Sequence, residues 1–317
     1  MAVTIGTATY FMTAPIERDL DLAASWDTTA GTNYTVAANR AGKNFYIYAC
    51  TPVSGLAPII LVSGATTYPV GYNANNSRKV GGFHCLCAGV GTISGHALTG
   101  YLAGDILPRS VWDLGHRSAG SQAGMVWAGQ TDFDSLNYAP IWVAIYLASG
   151  TGTSTASVYG GTISDNRNWM DFVDDFGAIG CRMPGDREFQ LLASGSNEET
   201  NISTSADPGT AGGHADTAGR RMISNIECED CCGVMWQWLD EQSYKSPASA
   251  GWGWYDLPGA KGSLHNYGGV TGDADVKLLG GCGWANATYA GSRARHAYYS
   301  RWSAASSIGG RFVAEPQ

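Results

Sequence analysis

Cys181-Arg-Met-Pro-Gly-Asp-Arg-Glu-Phe-Gln-Leu-Leu-Ala-Ser-Gly195 is the stretch on which the fold turns. Pro184 precedes a run whose acids, Asp186 and Glu188, fall where the unpaired N–H groups of a first helical turn favour negative charge. Phe189, Leu192 and Ala193 then recur at helical spacing, and Gly195 stops the pattern. A helix is predicted there. Just before it, Asn168-Trp-Met-Asp-Phe-Val-Asp-Asp-Phe176 places Trp169, Phe172, Val173 and Phe176 at i, i+3, i+4 and i+7, which predicts a second amphipathic helix ending at Gly177.

Working outward, the stretch from Cys232 to Leu239 has a β pattern in which Val234, Trp236 and Trp238 share one face. Further on come Leu279-Gly-Gly-Cys-Gly-Trp284, Gly291-Ser-Arg-Ala-Arg295 and Ile308-Gly-Gly-Arg-Phe-Val313. The blocks at 181–195, 233–238 and 279–313 stand in the order found in the formylglycine-generating-enzyme branch of the C-type lectin fold, and together they resemble it. That branch carries an Arg-Leu-Pro-Thr-x-x-Glu-Trp helix, an Asn-Val-Trp-Glu-Trp strand, an Arg-Gly-Gly-Ser-Trp segment and a closing Gly-Phe-Arg strand.

The enzymes of that branch need two cysteines in the final segment, whereas this chain has only Cys282 there, on the glycine turn. An oxidase therefore lacks its dithiolate, and no G-x-S-x-G, H-E-x-x-H or P-loop pattern supplies another chemistry. The expectation is a non-enzyme with no cofactor.

The segment from Leu278 to Pro316 is most similar to the variable proteins of diversity-generating retroelements, the kind to which phage tropism determinants belong. In that family, mutagenesis at template adenines turns AAY codons into NNY codons, which never encode Trp, Met, Lys, Gln or Glu. Gly280 to Ala314 contains no Met, Lys, Gln or Glu, so Trp284 and Trp302 are expected to be scaffold. Gly280, Gly281, Gly291, Gly309 and Gly310 are expected to supply turns, and Trp284, Arg293, Arg295, Ile308, Arg311 and Phe312 packing and buried hydrogen bonds. Between them lie the candidate ligand-binding residues Gly283, Ala285, Asn286, Tyr289, His296, Tyr298, Tyr299, Ser300, Ser303, Ala305, Ser306 and Ser307. Tyr, Ser and Asn on a glycine-rich frame are paratope chemistry, because Tyr gives rigid contact area while Ser and Asn adapt their hydrogen bonds.

The resemblance implies a receptor, protein or glycan, on a target cell surface, a homotrimer, and association with a virion or a cell surface. A fixed-specificity carbohydrate-binding lectin or adhesin stays open as the alternative, although neither a Glu-Pro-Asn nor a Gln-Pro-Asp motif is present.

Residues 1–104 alternate β-branched and aromatic residues with turns, as in Asn44–Tyr48, Ala57–Val62 and Gly82–Cys87, and predict an all-β domain without helix that mediates attachment or oligomerisation. Its motifs do not extend the resemblance. The whole is thus expected to be α+β, a β domain followed at residues 105–317 by a C-type-lectin-like domain whose variable region covers about 280–313. Strands are also expected at Gly124–Trp127 and Ile141–Leu147, joined by the polar loop Gln130–Tyr138, and a long surface loop at 194–219.

A net charge of −8 disfavours nucleic acid as partner. The start Met1-Ala-Val-Thr-Ile-Gly6 has no basic and apolar leader pattern, and no apolar run reaches membrane length, so cytoplasmic synthesis without a signal peptide or membrane span is expected. The 8 cysteines are expected to be buried thiols, since Cys228-Glu-Asp-Cys231 lacks a second pair for zinc. Glu198, Glu199, Asp207 and Asp216 in the long loop are expected to be solvated, so that no metal is bound.

Overall fold

Alternating side chains from Asn44 onward build the sheet of the first unit. The computed structural model describes residues 2–27, 32–114, 123–129, 140–244, 253–256, 263–266 and 275–316. They divide into one unit of Met1–Gly89 with Tyr101–Ala123, and a second of Val90–Gly100 with Gly124–Pro316.

In the first unit β1 (Ala2–Ile5) and β2 (Ala8–Phe11) form a hairpin. A single helical turn α1 (Ala37–Arg40) precedes β3 (Asn44–Cys50), β4 (Ile59–Ser63), β5 (Ser77–His84) and β6 (Trp112–Asp113), an antiparallel sheet in the order β4-β3-β5-β6. Trp26, Phe45, Val62, Phe83 and Cys85 pack as one core cluster, and Val3, Ile5, Ala49 and Ile60 as another. The expectation of a helix-free domain is corrected by α1. That turn is held by Arg40, whose Nη1 donates to the carbonyls of Tyr34 (2.8 Å) and Leu20 (3.1 Å), contacts that local sequence pattern does not carry. The expected break after residue 104 lies inside this unit, because β6 pairs with β5 through Gly81 with Asp113 and Gly82 with Trp112.

The second unit begins with β7 (Met125–Ala128) and β8 (Ile141–Ala144), paired antiparallel; the expected loop Gln130–Tyr138 lies outside the described residues. β9 (Ala148–Ser149) and β10 (Ala156–Ser157) make a small ribbon. Helix α2 (Trp169–Ala178) starts at a capping box: Asn168 Oδ1 accepts from Asp171 N–H (3.1 Å) and Asp171 Oδ2 from Asn168 N–H (2.9 Å). Phe172 and Phe176 of the predicted stripe are wholly buried. In α3 (Asp186–Leu192) Glu188 accepts from Gly185 N–H (2.8 Å) and forms a two-pronged ion pair with Arg182, 2.7 Å at each contact, while Phe189 and Leu192 turn inward.

Seven further strands follow: β11 (Trp236–Tyr244), β12 (Gly253–Asp256), β13 (Ser263–Asn266), β14 (Asp275–Gly281), β15 (Gly291–Ala297), β16 (Ile308–Gly309) and β17 (Val313–Ala314). Six make a sheet in the order β12-β13-β15-β14-β11-β16, and β17 returns to β8, pairing Val313 with Val143. The expected single apolar face of β11 proves to be two. Val234, Trp236 and Trp238 are buried, and so are Met235, Gln237 and Leu239, because the strand is covered on both sides.

The loop at 194–219 contains no helix or strand, yet it is not the solvated surface loop expected. Asn197, Asn201, Ile202 and Asp216 are buried, since Ile202 N–H donates to Gly233 (2.9 Å) and Thr200 Oγ1 to Asp216 Oδ2 (2.7 Å).

Candidate functional site

The segment after β14 is set by glycines that no other residue replaces without strain. Gly281 has φ +90°, and a Cβ there would collide with the carbonyl of Cys231. At Gly310 a Cβ would meet the Phe172 ring of α2 at 2.8 Å. The backbone therefore passes close to Phe189 of α3 at Gly281, before the candidate residues, and close to α2 at Gly310, after them.

Two arginines fix the frame. Arg311 is wholly buried, with Nε donating to Gln237 Oε1 (3.1 Å), Nη1 to the carbonyls of Ala144 and Ile145 (2.6 Å each) and Nη2 to that of Glu229. Arg295 pairs with Asp186 at the start of α3, donates to the carbonyls of Ser292 (3.0 Å) and Ala294 (2.8 Å), and lies over Phe189, 5.1 Å from the ring centre. The long loop joins in: Glu199 N–H donates to the Ala290 carbonyl (2.8 Å) and Asn201 Nδ2 to that of Trp284. Nothing in the spacing of 194–219 signals that role, and this is what the sequence reading missed.

Of the candidate residues, Ala285, Tyr289 and Ser306 are exposed, and Asn286, Tyr298, Tyr299, Ser300, Ser303, Ala305 and Ser307 are half-buried. Two are corrections to the expected display. Gly283 is buried beside Trp236, and His296 is only 8% exposed because it sits within β15, opposite Leu279 of β14. Trp302, expected as scaffold, is instead 66% exposed, in the turn after Ser300. Arg293, expected in the frame, is also exposed.

The aromatic members gather. Tyr299 stacks on His296 (ring centres 5.2 Å apart, planes at 23°) and meets Tyr298 edge-on at 5.1 Å. Burial, with the neighbouring Tyr298, pushes the Tyr299 phenol up, so Tyr299 presents a neutral hydroxyl near neutral pH. The arrangement offers contact area and hydrogen bonds, with no nucleophile among these rings.

Cys282, on the turn after β14, has no exposure, and its thiol donates to the Tyr289 carbonyl at 3.3 Å. Burial pushes that thiol well up, which holds it protonated and disfavours a metal-binding thiolate. Cys228 and Cys231 are likewise buried and free of any disulfide. Among the described residues, no group of three His, Cys, Asp or Glu is placed to hold a metal ion, and no helix is long and apolar enough to cross a membrane. His96 uses both ring nitrogens on backbone, accepting at Nδ1 from Leu98 N–H (3.1 Å) and reaching the Ile223 carbonyl from Nε2 (3.0 Å), which makes it a structural residue.

Residues 3–113 match the family described as the Mtd second domain, in the half where sequence motifs alone had shown no resemblance. The tail fiber receptor-binding protein of Bordetella phage BPP-1 is 26% identical over 285 residues, spanning 84% of this chain and 69% of that protein. The solved Major Tropism Determinant U1 variant superimposes with a TM-score of 0.68 at 24% identity, and the P3c variant with 0.67 at 23%, each over 99% of this chain and 78% of theirs. Over nearly its whole length the chain thus shares the fold of the Major Tropism Determinant variants, and its residues 3–113 match the Mtd second domain.

Proposed function

We propose that this chain is a receptor-binding protein of a phage tail fibre, and that the surface of residues 283–307 meets a protein or glycan receptor on the target cell. The observation that carries the reading is the alignment of 84% of the chain with a protein named for receptor binding at a tail fibre. Tyr289, Tyr298, Tyr299 and Trp302, which reach the surface from a segment anchored by Arg295 and Arg311, support the location. Large, rigid aromatics surrounded by small polar residues bind with little loss of side-chain entropy.

The protein acts by binding and performs no catalytic step; the buried, protonated Cys282 gives oxidation chemistry no starting point. It works on the virion, as a homotrimer like the tropism-determinant kind, and its recognition segment is diversified by a retroelement. The other unit, Met1–Gly89 with Tyr101–Ala123, serves attachment or oligomerisation.

Deep sequencing of the 3′ end of the gene and its flanks across a source population tests the diversification. Variation confined to the codons of the candidate positions, beside a near-identical template repeat and a reverse-transcriptase gene, is expected. Uniform sequence without a template would overturn diversification and leave a fixed-specificity adhesin or lectin. The receptor-binding reading itself is tested by competition: purified chain should block adsorption of the parent virion to its host cells, and undiminished adsorption would refute it.

A further inference from the structure

Gly283 and His296, the two buried members of the candidate face, are distant in sequence but adjoin the same side chain. A Cβ at Gly283 would stand 3.3 Å from Cδ1 of Trp236, and the His296 ring meets the Trp236 ring edge-on with centres 5.1 Å apart. The backbone of a third candidate meets the same residue, the Ser307 carbonyl accepting from the Trp236 main-chain N–H at 3.0 Å. Trp236 belongs to β11, outside the segment that carries the candidate positions, and is 4% exposed.

We infer that Trp236 is a positioning residue, an indole on a held backbone that lies between buried positions 283 and 296 and couples them to the pose of the displayed Tyr298 and Tyr299. The inference rests on the recognition-face reading above. The backbone of Trp236 has little freedom to move, so a push on its ring is taken up by the side chain. Its backbone pairs with Ile308 of β16, and the next residue, Gln237, is tied to the buried Arg311. On the other side, contact passes from Trp236 to His296, from His296 to Tyr299 at 5.2 Å and to Tyr298 at 6.1 Å, and between the two tyrosines at 5.1 Å.

A contact of 3.3 Å requires a neighbour to give by a few tenths of an ångström. Since the Trp236 backbone is held by strand pairing and hydrogen bonds, its ring passes the displacement to His296 and on to the half-buried Tyr298 and Tyr299. Residue changes at 283 and 296 therefore reshape the face from beneath without touching the receptor. Changes at the exposed positions alter contacts directly.

The test needs no receptor. The full chain is labelled with 3-fluorotyrosine, and the Tyr298 and Tyr299 fluorine signals are assigned with Tyr298→Phe and Tyr299→Phe. Gly283→Ala and His296→Ala should each shift both signals while leaving those of Tyr46 and Tyr48, in the other unit, in place; His296→Phe, which restores a ring, should return Tyr299 towards its original position. In a Trp236→Phe background the Gly283→Ala shift should largely vanish. Folded Gly283→Ala and His296→Ala proteins whose Tyr298 and Tyr299 signals do not move would overturn the inference, as would a Gly283→Ala shift that persists at full size with Trp236→Phe. Should Trp236→Phe not fold, the first two variants decide. Failure of the recognition-face reading is distinguishable, since it shows as retained cell adsorption after Tyr298→Ala and Tyr299→Ala, whatever the fluorine signals do.

Discussion

Arg311 Nε donates to Gln237 Oε1 across 3.1 Å, and both side chains are wholly buried. The contact joins the closing segment of the chain to the core strand β11, and the same guanidinium ties in the carbonyls of Ala144 and Ile145, next to the strand on which β17 lands. Removing it leaves several acceptors in the interior without a donor. Arg311→Met is expected to cost about 3–5 kcal/mol, and Arg311→Lys to rescue little because an ammonium cannot reproduce the fork. Urea unfolding of the two variants measures this, and a stability within 1 kcal/mol of the parent, roughly the worth of a single ordinary hydrogen bond, would contradict it.

Tyr298 and Tyr299 are half-buried at the surface rather than in the core. Replacing both by Ala is expected to abolish adsorption of the chain to host cells while changing stability by no more than about 1 kcal/mol, as for surface substitutions with modest packing. A large fall in melting temperature would instead assign the pair to the core.

Gly281 stands at φ +90° with no room for a Cβ beside the Cys231 carbonyl. Gly281→Ala should destabilise by about 2–4 kcal/mol, combining a disfavoured backbone region with a steric clash. Gly209, also at positive φ but with open space around it, provides the control: Gly209→Ala should cost only about 1 kcal/mol, from the backbone alone.

His214 Nδ1 lies 3.0 Å from the buried Asp230 carboxylate. Burial disfavours the imidazolium, but the hydrogen bond and charge of Asp230 outweigh it and raise the His214 pKa. Its contribution to stability is therefore full below the free imidazole value of about 6.5 and is lost as pH rises through the higher folded value. Thermal melts from pH 6 upward should show a decline over that window that His214→Asn abolishes; an identical profile in the variant would refute the assignment.

Cys282 donates its thiol hydrogen to the Tyr289 carbonyl and is held protonated by burial. Cys282→Ser retains a donor of similar shape and should keep both fold and cell adsorption. Loss of adsorption in a folded Cys282→Ser protein would reopen a chemical role for the thiol.

Much of the architecture is legible in local pattern. The stripe Trp169–Phe176 and the acids of Asp186–Glu188 are periodic or terminal signals, and both helices form where those signals stand. The turn Ala37–Arg40 has no such signal, since a buried guanidinium rather than propensity keeps it. The candidate face divides in the same way. Composition and codon chemistry mark the segment, but they do not report which side chains reach water.

The identity and order of the blocks, the two amphipathic helices and the glycine-framed segment rich in Tyr and Ser are legible in the chain alone. These are encoded within windows of a few residues by periodicity and backbone permission. That His296 and Gly283 lie beneath the surface while Trp302 lies on it follows from long-range packing. Strand period alone places neighbouring side chains on opposite faces, yet Ala294, Arg295 and His296 are all buried, because β15 is covered on both sides. Whether a face is covered depends on partners far away in the chain, here Phe189 of α3 beside Arg295 and Trp236 of β11 beside His296, and no local window contains them.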